Sequence, residues 1–235
     1  GSKDPFALRR AAQGIVRILV EGRLPIPIHT LLGGDAQLEE FFLDRVRYYF
    51  REIRGFAYDE VNAVLASGWD DLVDVEERLE AIKEARPTED FLAVAAAFKR
   101  IKNILKQASS VQGSGSAAGL QPGAGSHPAS GIDPVRIEQG PEASLYQAML
   151  EARNRLTSLA HREKVQTIAA LRPHIDLFFD KVLVNAPDAA VRHNRLTLLH
   201  TMLAEFSTIA DFSEIVTSNA GQAVSPVQLE NQENK

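Results

Sequence analysis

Residues 178–199, "FFDKVLVNAPDAAVRHNRLTLL", decide the fold, because they place a polar turn between two apolar runs with helical spacing. Asp188 stands where a helix N-cap is expected. The first two turns after it carry polar and basic residues: Arg192, His193, Asn194 and Arg195. Cations oppose the helix dipole at an N-terminus. We therefore expect a buried acid or an anionic ligand close to this turn.

A helical wheel for this last helix shows one broad apolar face. Arg195 falls inside that face, and Arg192 lies at its edge. Since an unpaired buried guanidinium is costly, we predict a structural ion pair between Arg195 and Asp180 on the preceding helix. The wheel directs His193 and Asn194 away from the core. For Arg192, a structural role and a ligand contact are equally open.

Helical spacing of apolar residues recurs along the chain, and no stretch alternates as a half-buried strand would. The first predicted helix, residues 4–22, is expected to bury its apolar residues: Phe6, Leu8, Ala11, Ile15, Ile18 and Leu19. Further helices are predicted over 38–53, 57–66, 71–85, 88–108, 141–160, 162–171, 173–184 and 188–215. Thr88 is the expected N-cap of the helix that starts there. The predicted fold class is an all-α helical bundle.

Residues 109–134 interrupt this pattern, because they are rich in Gly, Ser, Ala and Pro and have no apolar face. We predict a flexible segment there and a disordered tail over 217–235. The remaining helices divide into two predicted units, residues 1–86 and residues 87–216. The flexible segment interrupts the second unit.

Composition excludes several classes of protein. The 235 residues include no cysteine, so disulfides and cysteine-based zinc sites are excluded. The six histidines lack metal-hydrolase spacing, no glycine-rich turn joins a strand to a helix, and we predict no catalytic residue and no metal site. No apolar run suggests a membrane span or signal peptide. The net charge of −5 argues against general DNA coating, so a polyanion would need local basic patches.

One such patch lies in residues 97–108, "AFKRIKNILKQA", which contain no acid. Lys99, Lys102 and Lys106 line one flank of a helix whose other face is apolar, and Arg100 lies close by. Lysine is a point charge suited to phosphate contacts, although a solvated helix face explains the pattern equally well. Arg153 and Arg155, in "LEARNRL", are weaker candidates.

Three stretches resemble known proteins. Residues 178–199 resemble the helix–turn–helix element of the DALR anticodon-binding domain, and residues 97–108 are similar to that domain's opening helix. "GSKDPFALRRAAQGIVRIL", residues 1–19, resembles the β subunit of the bacterial tetrameric glycyl-tRNA synthetase. The four-letter DALR pattern is replaced here by residues 189–192, "AAVR", with the acid one position earlier at Asp188.

The resemblance implies a C-terminal fragment of that β subunit, covering nearly all of residues 1–215 except the flexible segment. It implies that residues 1–86 form the last part of the β-subunit body, after an HD-type region, and that residues 87–216 form a DALR-type domain.

The implied function is recognition of the anticodon arm of tRNA-Gly in glycyl-tRNA aminoacylation, in the cytoplasm. The implied partner is an α subunit, in an α2β2 tetramer. That subunit carries the active site with ATP and Mg²⁺, so this chain is expected to be non-catalytic and to hold no cofactor. No membrane or DNA contact is implied.

Anticodon loops offer unstacked bases and closely spaced phosphates. The expected tRNA-binding residues are Lys99, Arg100, Lys102, Lys106, Arg153, Arg155, Arg192, His193 and Asn194, with His193 and Asn194 reading base edges or ribose. The alternative function is an all-α protein–protein scaffold whose basic patch binds an acidic partner. An HD-like phosphohydrolase is disfavoured, because the metal ligands are missing.

Overall fold

The computed structural model describes residues 5–112 and 131–217, and within these ranges the regular structure is entirely helical. The α-helices are α1 Pro5–Glu21, α2 Ile28–Leu32, α3 Ala36–Tyr48, α4 Tyr58–Ala66, α5 Leu72–Ala85, α6 Glu89–Gln112, α7 Pro141–Leu156, α8 His161–Ala169, α9 Arg172–Lys181 and α10 Ala189–Phe206. A π-helical turn, Tyr49–Ile53, continues α3, and 3₁₀ turns occupy Pro134–Arg136 and Phe212–Glu214. The all-α prediction is confirmed.

Aspartate side chains begin several of these helices. The carboxylates of Asp35, Asp71 and Asp188 each accept hydrogen bonds from two backbone N–H groups in the first turns of α3, α5 and α10. These caps satisfy donors that a helix start leaves without partners. The predicted N-caps are confirmed at Asp188 and at Thr88, whose Oγ1 accepts from the Phe91 N–H at 3.3 Å.

Several predicted boundaries shift. α6 continues to Gln112, and described structure resumes at Gly131, so the predicted flexible segment 109–134 was too wide at both ends. Its middle, residues 113–130, and the predicted tail from residue 218 lie outside the described residues. α10 ends at Phe206 instead of Ile215, and a 3₁₀ turn follows it.

A single apolar core runs through both predicted units. α5 packs against α8, and the 3₁₀ turn Phe212–Glu214 packs against α4 and α6. Phe212 meets Phe91 and Phe98 edge-on, with ring centroids 5.8 and 5.6 Å apart. The core therefore crosses the proposed boundary at residue 87, and the division into two units stays a prediction.

Buried charged side chains form hydrogen bonds with residues 209–216, near the end of the described chain, and hold them against this core. Arg78 on α5 is buried and donates to the carbonyl oxygens of Val64 and Ile209, at 3.0 and 3.1 Å. The Asp59 carboxylate on α4 binds Arg86 at 2.7 Å and accepts from the Val216 N–H at 2.7 Å. Residues 209–216 are thereby held against α4 and α5.

The predicted core face of α1 is only partly correct. α1 packs against α3 and α5 and buries Ala12, Val16, Leu19 and Val20. Four residues that the spacing placed in the core are instead exposed: Leu8, Ala11, Ile15 and Ile18. The apolar face of α1 is wider than the surface that α3 and α5 cover. The side chain of Phe6 lies outside the described set.

Candidate nucleic-acid interface

The start of α10 holds a buried ion pair. Arg195 is only 5% exposed, and its Nε donates a hydrogen bond to Glu142 Oε2 at 2.8 Å. Its Nη2 lies 2.8 Å from Glu138 Oε2, and its Nη1 donates to the Leu183 carbonyl at 2.9 Å. The prediction that Arg195 is buried against an acid is confirmed.

The prediction that Asp180 is the acid paired with Arg195 was wrong. Asp180 is exposed on α9, whereas Glu142 stands in the first turn of α7, 53 residues before Arg195 in the chain. The start of α10 faces the start of α7. The negative charge beside Arg195 therefore comes from α7, and not from α9, the preceding helix, where it was expected. Glu138 and Glu142 were not among the predicted residues, and no local sequence signal distinguishes them from other surface acids.

Asn194 also departs from the helical wheel, because it is 4% exposed and points inward. Its Oδ1 accepts from the Asp133 N–H at 2.8 Å, and its Nδ2 donates to the Asp133 carbonyl at 3.1 Å. The side-chain amide is thus used to hold the chain that precedes α7. Asn194 would have to release Asp133 before it could contact a base.

Arg192 binds the turn that precedes its own helix. Its Nη1 donates to the Ala186 carbonyl at 2.7 Å, so this guanidinium stabilises the turn between α9 and α10. His193 is exposed. Backbone hydrogen bonds from Val191 and Ala190, aided by the charges of Arg136 and Arg192, lower the pKa of the Asp188 carboxyl. Arg136 is an exposed basic residue near this turn that the sequence did not single out.

Lys102 is neutralised by acids from a distant part of the chain. Its Nζ lies 2.7 Å from Asp211 Oδ2 and 3.6 Å from Glu214 Oε1, and it donates to Ser213 Oγ at 3.0 Å. Burial is the largest single effect and disfavours the charged amine, but the hydrogen bonds and charges of Asp211 and Glu214 together outweigh it and raise the pKa of Lys102. Residues 97–108 contain no acid, but Asp211 and Glu214, which lie outside that stretch, neutralise Lys102.

The other α6 residues behave differently. Lys99 and Lys106 are exposed, and neither forms an ion pair with any residue of 5–112 or 131–217. Arg100 lies on another flank, since each helical residue advances about 100°, and its guanidinium carbon lies 4.1 Å from the Phe179 ring centroid. Among the described residues, the positive charges of the patch that no acid pairs with are thus Lys99 and Lys106 on one flank and Arg100 on another.

The predicted site residues form separate groups. Arg153 on α7 approaches Glu205 in the last turn of α10 at 3.8 Å, and Arg155 is exposed nearby on the same helix. Arg192 stands in the first turn of α10, about 20 Å from Glu205 at 1.5 Å rise per residue. The structure therefore does not bring all nine predicted residues to one place.

The described parts of the chain contain no group of three or more histidine or acidic side chains arranged to hold a metal ion. No helix within residues 5–112 and 131–217 combines the length and the apolar character needed to cross a membrane.

Comparisons with known proteins agree with one another. Residues 1–66 match the family model described as Glycyl-tRNA synthetase beta subunit. The chain is 42% identical over 235 aligned residues to the glycine–tRNA ligase beta subunit of Acidobacterium capsulatum, covering 93% of this chain and 32% of that protein. The beta subunits of Methylobacillus flagellatus and Delftia acidovorans are 35% and 38% identical, over 92% of this chain and 30% of theirs.

The chain is thus similar to proteins of the aminoacyl-tRNA ligase class. Within that class, the matching relatives are glycine–tRNA ligase beta subunits, and the matching family model is that of the glycyl-tRNA synthetase beta subunit. The chain spans about a third of the length of the curated relatives that it matches. The family-model match ends at residue 66, so the DALR resemblance of α6 to α10 stays a prediction.

Proposed function

We propose that this chain is the tRNA-binding portion of a glycine–tRNA ligase β subunit and that it grips the anticodon arm of tRNA-Gly during aminoacylation. The relatives support the ligase assignment by their names. The observation that carries RNA binding is the pair of exposed lysines on α6 that form no ion pair with any described residue. Lys99 and Lys106 are two helical turns apart on one flank, which spans about 10 Å of axis. Two such ammonium groups suit phosphate contacts along one strand.

The other candidates take different roles in this proposal. Arg100, stacked on Phe179, presents a planar cation that suits stacking with an unpaired base. His193 is the exposed residue at the start of α10 for a ribose or base-edge contact. Arg153 and Arg155 on α7 would form a separate RNA contact. Arg192 and Asn194 would contact RNA only after they release the backbone groups of Ala186 and Asp133. Lys102 holds the 3₁₀ turn Phe212–Glu214 and supports the neighbouring lysines.

The proposal assigns the chemistry to another polypeptide. ATP and Mg²⁺ bind to the α subunit of an α2β2 enzyme in the cytoplasm, and this chain contributes RNA affinity without a cofactor of its own. The purified 235-residue chain should therefore catalyse no ATP–pyrophosphate exchange when glycine is added. Glycine-dependent exchange by this chain alone would contradict the assignment.

RNA binding is tested by fluorescence anisotropy with labelled anticodon stem-loops of tRNA-Gly and of a non-cognate tRNA over a range of salt. Replacing Lys99 and Lys106 together by Gln should weaken both complexes alike, because phosphate contacts are independent of sequence. Two lost contacts should flatten the slope of log K against log salt by about 1.4 to 1.8. Lys83→Gln is the matched control, because Lys83 is an exposed lysine on α5 that packs 5.0 Å from the Phe56 ring centroid.

An unchanged slope in the double variant, with the helical circular dichroism preserved, would show that these lysines are a solvated helix face. If the unaltered chain bound neither stem-loop but did bind an acidic protein, the scaffold function would replace the proposal. A loss confined to the cognate stem-loop would contradict the phosphate role of the two lysines.

A further inference from the structure

α1 carries an apolar face that nothing in the described structure covers. Its members recur at three- and four-residue steps and so share one side of the helix: Leu8, Ala11, Ile15 and Ile18. Leu8 is 54% exposed, Ile15 is 44% exposed and Ile18 is 62% exposed. Single exposed apolar residues are normal on protein surfaces, but a periodic row of them marks an interaction site.

Exposed apolar side chains are also concentrated in this part of the molecule. Among the described residues up to position 58, the exposed large apolar side chains are Leu8, Ile15, Ile18, Leu24, Ile26, Leu31, Leu38, Tyr48, Ile53 and Tyr58. In the longer remainder they are Val135, Leu177, Leu183 and Val216. The first set falls within residues 1–66, the stretch that matches the beta-subunit family model. This stretch therefore exposes more large apolar side chains than the longer remainder of the described chain.

We propose that the α1 face docks against an apolar surface in the part of a full-length β subunit that lies outside these 235 residues. The relatives supply such a part, because this chain covers only 32% of the first of them. The docking rests on the proposed function only in taking the chain to belong to a β subunit. The four side chains carry no polar atom, so the matching surface is one of aliphatic or aromatic side chains.

The size of the face favours a covalently attached partner over a free one. Residues 8–18 span about 15 Å of helix axis, whereas a stable interface between separate proteins buries about 800 Å² on each side. A segment of the same polypeptide is held at high effective concentration and does not need so large an interface. A second copy of the chain or an α subunit would have to offset the full loss of translational freedom.

The test is photo-cross-linking in a full-length β subunit that contains this sequence, measured alone and with its α subunit. Benzoylphenylalanine replaces Ile18, and the same substitution at Leu177, which is 42% exposed on α9, is the matched control. The Ile18 variant should give a cross-link inside one β polypeptide, to a residue outside the 235, with a yield that does not change on dilution. The Leu177 variant should not give that cross-link. Adding Ile15→Asp should abolish it, because a carboxylate does not enter an apolar interface without penalty.

Three results would overturn the docking: a main product joined to the α subunit, a main product joined to a second β subunit, or no cross-link from Ile18. The outcome is separable from RNA binding. If the stem-loops do not bind but Ile18 cross-links within its own subunit, the proposed function fails and the docking stands. If the stem-loops bind and Ile18 gives no internal cross-link, the docking fails alone.

Discussion

α1 and α10 both carry apolar residues at helical spacing, yet they depart from the expected burial in opposite directions. α1 exposes Ile15 and Ile18, which the spacing placed in the core, whereas α10 buries Asn194, which the wheel placed outside. α10 packs against α6 and α7 and is also contacted at Asn194 by the chain before α7. α1 packs on one side, against α3 and α5. Periodicity therefore identifies a helix, and the surrounding elements decide which residues are buried.

The two helices also differ in how specific their buried contacts are. Arg195 and Asn194 of α10 need partners at hydrogen-bonding distance and with defined geometry, because a buried polar group without a partner is costly. The α1 face can be covered by any apolar surface of suitable shape. The buried polar residues of α10 therefore require particular partner groups, whereas the exposed face of α1 requires only an apolar surface.

The largest expected effect is at Arg195. Arg195→Ala should lower the free energy of unfolding by about 3–5 kcal/mol, because it leaves the Glu142 carboxylate buried without its partner. Glu142 is 1% exposed, so water cannot replace the guanidinium. Urea unfolding followed by circular dichroism measures the change. Asp180→Ala is the control and should leave the midpoint unchanged, and the opposite ranking of the two variants would contradict the observed pairing.

A smaller effect is expected at Asn194. Asn194→Ala removes both hydrogen bonds to the Asp133 backbone and should lower the free energy of unfolding by about 1–3 kcal/mol, because buried partners lose their hydrogen bonds. The same urea experiment measures it. His193→Ala, at the exposed neighbouring position, should stay within about 0.5 kcal/mol. Equal effects at the two positions would mean that Asn194 is not held by Asp133 in solution.

The smallest expected effect is at Ile18. In the 235-residue chain, Ile18→Ala should change the free energy of unfolding by no more than about 0.5 kcal/mol, because the side chain is exposed. Leu19→Ala, at the adjacent buried position, should lower it by about 2–5 kcal/mol. Thermal unfolding of the two variants side by side gives the comparison. If Ile18→Ala lowered the free energy of unfolding as much as Leu19→Ala, Ile18 would be buried within this chain, and α1 would have no exposed apolar face.

Local features of the candidate site could be predicted, and long-range ones could not. The burial of Arg195 could be inferred from its own helix, since the apolar residues around it are within a few turns. The partner Glu142 could not be inferred in this way, because nothing in the sequence near Arg195 indicates which helix will face Arg195. Lys102 shows the same limit, since its acid, Asp211, lies 109 residues further along the chain.

The sequence by itself determined every α-helix of the described chain except the short α2, the N-caps at Thr88 and Asp188, the helical fold class and the demand for an acid beside Arg195. These follow from local spacing and local hydrogen bonding, which act over one or two turns. The tertiary structure alone decided which acids meet Arg195 and Lys102, that Asn194 faces inward and that Ile18 faces outward. Each of these depends on the packing of elements far apart in the chain, and a helix's own residues do not record which neighbours it will have.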